Sequence, residues 1–335
     1  MSPAAEQSPC IDMTARKKVG FIGLGAMGRG AVGNLIAKGF DVVGCDVRPE
    51  ALEWLQAQGG VPANSLAEMA GQVSVVVCFV VNSQQTETVL FGDNGLVGKL
   101  AAGTVFITCS TMDPGYVRAL DRRLAQHSIW LVDAPVTGGA VGAERGQLTI
   151  MGSGKREAFE LARPVLETFG TRVHYLGAAG CGAQMKILNQ LLCGVHLAAA
   201  GEALALARRQ GLPLDLTLEI LCSGAAGSWM LADRGPRMIA GKFDDITSAV
   251  DIFVKDMSLV LDATRESRFP AALAHAAYLA FLGTAARGLG AQDDSAVTTA
   301  YEVMTAAGRP PRAAAGAPHR PRQRAAGSSH ADSGA

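Results

Sequence analysis

From Gly182 to Gln210 the chain runs for about thirty residues without a proline, and only Gly194 and Gly201 interrupt it. That predicts one helix well beyond the usual globular length, and the rest of the chain has to pack around it. Its apolar residues, Met185, Ile187, Leu188, Leu191, Leu192, Val195, Leu197, Leu204 and Leu206, fall on nearly every side. A soluble helix of that kind is expected to be buried between other elements. Yet its first turns carry Lys186 and Asn189, three apart and so on one face. An ammonium in an apolar helix is costly unless it has a partner or a wet cleft. Such a lysine either snorkels to the surface or is held at a cleft, where it can move a proton. His196, seven residues after Asn189, is expected to be a core or hydrogen-bonded histidine.

The N-terminal half has a different rhythm. Lys18 to Gly23 is short and apolar, like a buried parallel strand. Gly23-Leu24-Gly25-Ala26-Met27-Gly28 follows it and opens a helical stretch to Lys38. This is G-x-G-x-x-G in the setting that gives it meaning: Gly23 for a tight turn, Gly25 for approach to a pyrophosphate, Gly28 for close helix packing. A second strand, Asp41 to Asp46, ends on an acid about twenty residues past the glycines, where a carboxylate binds the adenosine ribose diol. Asp46 would repel a 2′-phosphate, so NAD is expected over NADP, although Arg48 nearby is a group that can accommodate that phosphate.

The alternation continues. Val73–Val81, Thr104–Thr108, Trp130–Asp133, Gln147–Met151 and Arg172–Leu176 read as strands, with helices between them, including Arg156–Phe169 with a kink at Pro164. Repeated β-α units predict a parallel, doubly wound sheet with ligands at the strand C-termini. Val80, Val81, Asn82, Ser110 and Thr111 fall at such ends. Asn82 and Ser110 suit helix capping equally well. The turn Thr137-Gly138-Gly139 offers a hydroxyl and exposed N–H groups that can grip a carboxylate, or it is a plain loop. Past the long helix strands stop and helical periods dominate to Ala307. The expected organisation is an extension at 1–16, a dinucleotide-binding Rossmann domain at 17–180, an all-helical substrate and dimerisation domain at 181–308, and a disordered Pro/Ala/Gly/Arg tail at 309–335.

Bulk properties narrow the function. Formal net charge is zero, which gives nucleic-acid binding no electrostatic support. Seven scattered cysteines without a CxxC pair read as reduced thiols of a cytoplasmic protein and give no zinc spacing. Lys186, Asn189 and Glu202 argue against a membrane-spanning role for the long helix, so no membrane and no metal are expected.

Four motifs now stand in order: Gly23–Gly28, Asp133-Ala-Pro-Val-Thr-Gly-Gly139, Gly180-Cys-Gly-Ala-Gln-Met-Lys186-Ile-Leu-Asn189, and Phe253-Val-Lys255-Asp256. Together they make the chain, over roughly 17–307, resemble the β-hydroxyacid dehydrogenases related to 3-hydroxyisobutyrate dehydrogenase. Stretches such as Ala225–Met230 and Asp293–Val297 are most similar to the L-threonate-oxidising branch. The resemblance implies Lys186 as the acid/base and Asn189 as a substrate holder. It implies Thr137, Gly138 and Gly139 around the substrate carboxylate, and Thr111, Phe253 and Lys255 at the cofactor or lining the cleft. It further implies NAD as hydride acceptor, a small hydroxy acid as substrate, and a homodimer or homotetramer. Thr137 stands where the family usually has Ser, Val80-Val81 where Leu-Pro is common, and Thr108 where Asp is common. Oxidation of 3-hydroxyisobutyrate or reduction of tartronate semialdehyde is the enzymatic alternative, and an idle NAD-binding sensor the non-enzymatic one.

Overall fold

Apolar runs of four to five residues form the central strands because each buries both faces. The computed structural model describes residues 18–305. The expected extension at 1–16 and the tail from 309 lie outside them. The strands are β1 (Lys18–Ile22), β2 (Asp41–Cys45), β3 (Val61–Pro62), β4 (Val75–Cys78), β5 (Val105–Thr108), β6 (Trp130–Asp133), β7 (Val136–Thr137), β8 (Leu148–Gly154) and β9 (Gly170–Tyr175). Seven helices accompany them: α1 (Ala26–Ala37), α2 (Pro49–Ala57), α3 (Leu66–Ala70), α4 (Ser83–Phe91), α5 (Pro114–Ala125), α6 (Gly139–Glu144) and α7 (Arg156–Phe169).

The sheet order is β3-β2-β1-β4-β5-β6-β8-β7, with β9 on β8. Its first six strands are parallel and doubly wound, and the order reverses between β1 and β4, where such sheets bind ligands. Alternate residues feed two cores. Val19, Phe21, Val77 and Ile107 meet α1 and α7 on one face. Ile22, Val76, Phe106 and Leu131 meet α3, α4 and α5 on the other.

The sheet is not parallel throughout, which corrects the sequence expectation. β8 runs antiparallel to both β6 and β7. Between β7 and β8 lies only the six-residue α6 with its flanks, too short for the dozen or more residues a parallel crossover takes. The two-residue β3 and the short α3 and α6 carry no apolar period long enough to read from sequence.

The helical half comprises α8 (Cys181–Gln210), α9 (Leu214–Ser223), α10 (Trp229–Ala240), α11 (Val250–Glu266), α12 (Ala272–Thr284) and α13 (Thr298–Thr305). The two glycines inside α8 are contact points rather than breaks. A Cβ on Gly194 would lie 2.3 Å from the Met257 sulfur, and one on Gly201 3.1 Å from Thr298 Cα. They let α11 and α13 approach the α8 backbone. Gly211 ends the helix in the left-handed region, φ 74°. α8 is not buried all round, however: Leu188, Leu192 and Leu206 are more than half exposed. His196 is exposed as well, so the expectation of a core or bonded histidine fails. Among the described residues α8 alone is long and apolar enough to cross a membrane, yet half of its most apolar window is buried in the helical core.

Candidate active site

The strand ends of the sheet and the helices α8, α10 and α11 enclose a cleft of about 650 Å³. On the sheet side the glycine turn forms a cradle. Gly23 has φ 90°, and a Cβ there would meet the Phe79 carbonyl oxygen at 2.7 Å. A Cβ on Gly28 would sit 2.0 Å from the Gly23 oxygen. Around Gly25 there is open space: nothing lies within 4 Å of a Cβ built there. That room, with the N-terminus of α1 uncapped by any side chain, fits a dinucleotide phosphate held by backbone N–H groups. Asp46 stands behind the turn. Its carboxylate accepts the Leu24 N–H at 2.7 Å and the Arg48 N–H at 3.0 Å, and pairs with the Arg48 guanidinium at 3.0 Å. Burial works to raise its pKa, but the bonds from Arg48 and Leu24 outweigh it and hold the acid below the usual aspartate range.

Lys186 enters the cleft from the helical side. It is 8 % exposed, and its Nζ donates to the Val136 carbonyl at 2.8 Å. That carbonyl directly precedes Thr137-Gly138-Gly139, where Gly138 (φ 127°) and Gly139 (φ 66°) take backbone conformations that disfavour other residues. Burial depresses the lysine pKa. Asp256 and Cys193 oppose the shift, Lys255 adds to it, and the net is downward. A buried lysine with a lowered pKa beside an anion-gripping turn can exchange a proton with a bound hydroxyl.

The seat of α8 explains why Lys186 arrives there. Gly180, the residue before the helix, gives it no side-chain cap. The cap comes instead from β6: Asp133 accepts the Ala183 N–H at 2.9 Å and the Ser153 hydroxyl at 3.0 Å, and Ser153 accepts the Gly182 N–H at 3.0 Å. A Cβ on Gly182 would be 2.3 Å from the Met151 carbonyl, so glycine permits this close docking. Burial raises the Asp133 pKa to about 6 against the bonds from Ala183, Ser153 and Gly180. One stretch, 133–139, thus caps the helix, receives the lysine and carries the Thr-Gly-Gly turn.

On α11, Lys255 reaches across the cleft to the Val81 and Thr111 carbonyls at 3.0 and 3.1 Å, the ends of the β4 and β5 loops, while pairing with Asp256 at 2.7 Å. The other Asp256 oxygen accepts from Gln190 at 2.6 Å. The far wall is polar: Arg234 forks onto Asp294 at 2.7 and 3.2 Å and pairs with Asp233, with Thr247 and Ser248 beside it.

A family profile described as the NAD binding domain of 6-phosphogluconate dehydrogenase matches residues 18–177. One described as NAD-binding of NADP-dependent 3-hydroxyisobutyrate dehydrogenase matches residues 180–301. An L-threonate dehydrogenase of Cupriavidus necator is 46% identical over 282 residues, 84% of this chain and 95% of that one. Another, of Haemophilus influenzae, is 43% identical over 83% of this chain and 93% of its own. The chain belongs to the 3-hydroxyisobutyrate dehydrogenase-like family. A crystal structure of a 3-hydroxyisobutyrate dehydrogenase from Salmonella typhimurium superposes with a TM-score of 0.80 at 39% identity, covering 84% of this chain and 99% of that one. The chain is therefore a hydroxy acid dehydrogenase that uses a nicotinamide dinucleotide.

Most residues singled out in the sequence of this 3-hydroxyisobutyrate dehydrogenase-like chain line the cleft: Gly25, Ala26, Met27, Gly28, Val80, Val81, Thr111, Thr137, Gly138, Gly139, Lys186, Phe253 and Lys255. Gly23 and Leu24 form the base of the glycine turn with Asp46 bonded behind them, and these three are not on the cleft wall. Asn82 caps α4, its Oδ1 accepting the Gln85 N–H at 2.8 Å, and Ser110 is bonded to the Val80 carbonyl at 2.6 Å. Asn189 is displaced from the expected place. It is turned beside the cleft wall and donates to Gln190 Oε1 at 2.8 Å and to the Cys193 sulfur at 3.4 Å. The α8 face that meets the cleft is Lys186, Gln190 and Cys193. With 3.6 residues per turn, positions three and four past Lys186 are nearly equally near it, so spacing had no means of choosing Gln190. Arg172, Arg234 and Asp256 were missed as well. Asp256 stood in a quoted motif, but the two arginines carried no local signal.

Proposed function

We propose that this chain oxidises a small polyhydroxy acid, L-threonate foremost, at the carbinol next to the carboxylate, with NAD as acceptor and Lys186 as the proton-transfer group. The observation that carries the reading is Lys186 itself, buried, with a depressed pKa, and bonded to the carbonyl that leads into the Thr137-Gly138-Gly139 turn. NAD supplies the site that takes the hydride; Gly25, the α1 N-terminus and Asp46 would hold its adenosine and phosphate end. Thr137 and the Gly138–Gly139 turn hold the carboxylate. Neutral Lys186 accepts the hydroxyl proton, and in reduction its protonated form returns it. Gln190, pinned between Asp256 and Asn189, orients the hydroxyl-bearing carbons. Lys255 keeps the helical half against the β4 and β5 loops.

Two features support the choice of substrate and cofactor. The polar wall of Arg234, Thr247, Ser248 and Asp294 suits a hydroxylated tail better than the methyl of 3-hydroxyisobutyrate. The ionised Asp46 disfavours a 2′-phosphate, and Arg48 is already engaged by it. The described cysteines are free thiols, which suits the cytoplasm. The half-exposed Leu188 and Leu192 on α8, with Leu279 and Leu282 on α12, suit coverage by a second copy of the chain. The test is NADH or NADPH formation with L-threonate, D-threonate, glycerate and 3-hydroxyisobutyrate, and NADH or NADPH consumption with tartronate semialdehyde. The expected outcome is the highest kcat/KM for L-threonate with NAD. A preference for 3-hydroxyisobutyrate, or equal use of NADP, would refute the corresponding half of the reading.

A further inference from the structure

β7, β8 and β9 lie side by side, and their register sorts side chains into rows. Val136, Ile150 and Val173 form one row, packed into the core beneath the sheet. The adjacent row is Thr137, Thr149 and Arg172. Successive residues of a strand point to opposite faces, so this second row is turned away from the core, and all three of its members line the cleft. Arg172 stands two strands from Thr137, about 10 Å between backbones at the usual strand spacing, a gap that an extended arginine spans.

The charges around it are otherwise committed. Asp256 holds Gln190 and Lys255, Asp294 holds Arg234, and Lys255 bridges the two halves of the cleft. The Arg172 side chain is exposed and makes no hydrogen bond or ion pair with the described residues. The Thr137-Gly138-Gly139 turn supplies a hydroxyl and N–H groups but no formal charge, and the six-residue α6 behind it is too short to add much of a dipole.

We propose that Arg172 is the cation that binds the substrate carboxylate together with the Thr137 turn. The assignment rests on the reading that the cleft takes a small hydroxy acid. A guanidinium fork matches a carboxylate in two parallel bonds. It also explains how a chain of zero net charge attracts an anion to one place. As a binding residue it acts on KM and leaves proton transfer at Lys186 alone.

The test compares Arg172→Gln and Arg172→Lys with the unmodified full chain. For the best hydroxy acid substrate, Arg172→Gln should raise KM about 10- to 100-fold, the worth of a hydrogen bond to a charged group. Its kcat should stay within about threefold, and its Kd for NADH, read by fluorescence, should not move. Arg172→Lys should recover part of the loss, because the charge remains but the fork does not. An unchanged KM in Arg172→Gln, or a KM rise matched by weaker NADH binding, overturns the assignment. If the unmodified chain turns over no hydroxy acid, the functional reading itself falls. Calorimetric titration of the NADH-saturated protein with malonate then decides: tenfold weaker binding to Arg172→Gln keeps the carboxylate site, and equal binding removes it.

Discussion

At the scale of single residues the proposed proton transfer depends on one lysine being kept out of water. Among the described residues Lys186 has a carbonyl and no carboxylate within hydrogen-bond distance, and burial lowers its pKa from the ordinary 10.5. A greater share of it is therefore the neutral base at a given pH than for an exposed lysine, and oxidation should accelerate as pH rises through its pKa. A positioned acid/base contributes roughly 10²–10⁴-fold in rate. Lys186→Ala should lower kcat by about that factor and remove the rising pH limb, with NADH affinity retained because the glycine cradle lies on the other half of the cleft. Lys186→Arg should not rescue it, since a guanidinium keeps its proton. Near-normal turnover in Lys186→Ala would reduce the residue to a structural donor for Val136.

At the scale of elements the critical joint is the seating of α8 on β6 and β8 through Asp133. One oxygen of this carboxylate is bonded twice and the group is wholly buried, which agrees with a pKa raised to about 6 by burial. Because the folded value lies above the unfolded one, the folded chain takes up this proton more readily. The stabilisation is complete below about pH 4 and is lost as pH rises through about 6. From the ordinary aspartate value of 3.8 to about 6 the change amounts to at most about 3 kcal/mol. Asp133→Asn should abolish that component. In urea titrations its stability relative to the unmodified chain should therefore improve as pH goes from 4 to 7. A pH-independent difference would mean that folded Asp133 is already ionised throughout that range, its pKa not raised by burial. Asp133→Ala should show the same pH trend and lie below Asp133→Asn by about a further 1–3 kcal/mol at every pH, since it strands the Ala183 N–H.

At the scale of the whole molecule, two cores flank the sheet, a third fills the helical half, and Lys255 bridges the cleft between them. α8 serves both halves: its first turn is docked on the sheet and its remainder is the spine of the third core. The apolar face it leaves toward solvent carries Leu188 and Leu192. If a second copy covers that face, sedimentation equilibrium should show a dimer or tetramer at micromolar concentration, and Leu192→Glu should shift it toward monomer while the far-UV spectrum is kept. A monomeric unmodified chain would exclude self-association as the cover.

The sequence by itself determined the local features. It carried the glycine turn between strand and helix, the acid ending β2, the parallel run from β1 to β6, and the thirty residues of α8, because each is set by spacing and backbone preference within a short window. Tertiary structure decided the rest. The antiparallel β8 follows from a connection too short to cross over. That Gln190 rather than Asn189 lines the cleft follows from how α8 is rotated against Asp256. Asp133 acts as a cap fifty residues from the N–H it receives. Arg172 joins Thr137 only through β8, since strand register brings together residues whose separation in sequence says nothing about their distance.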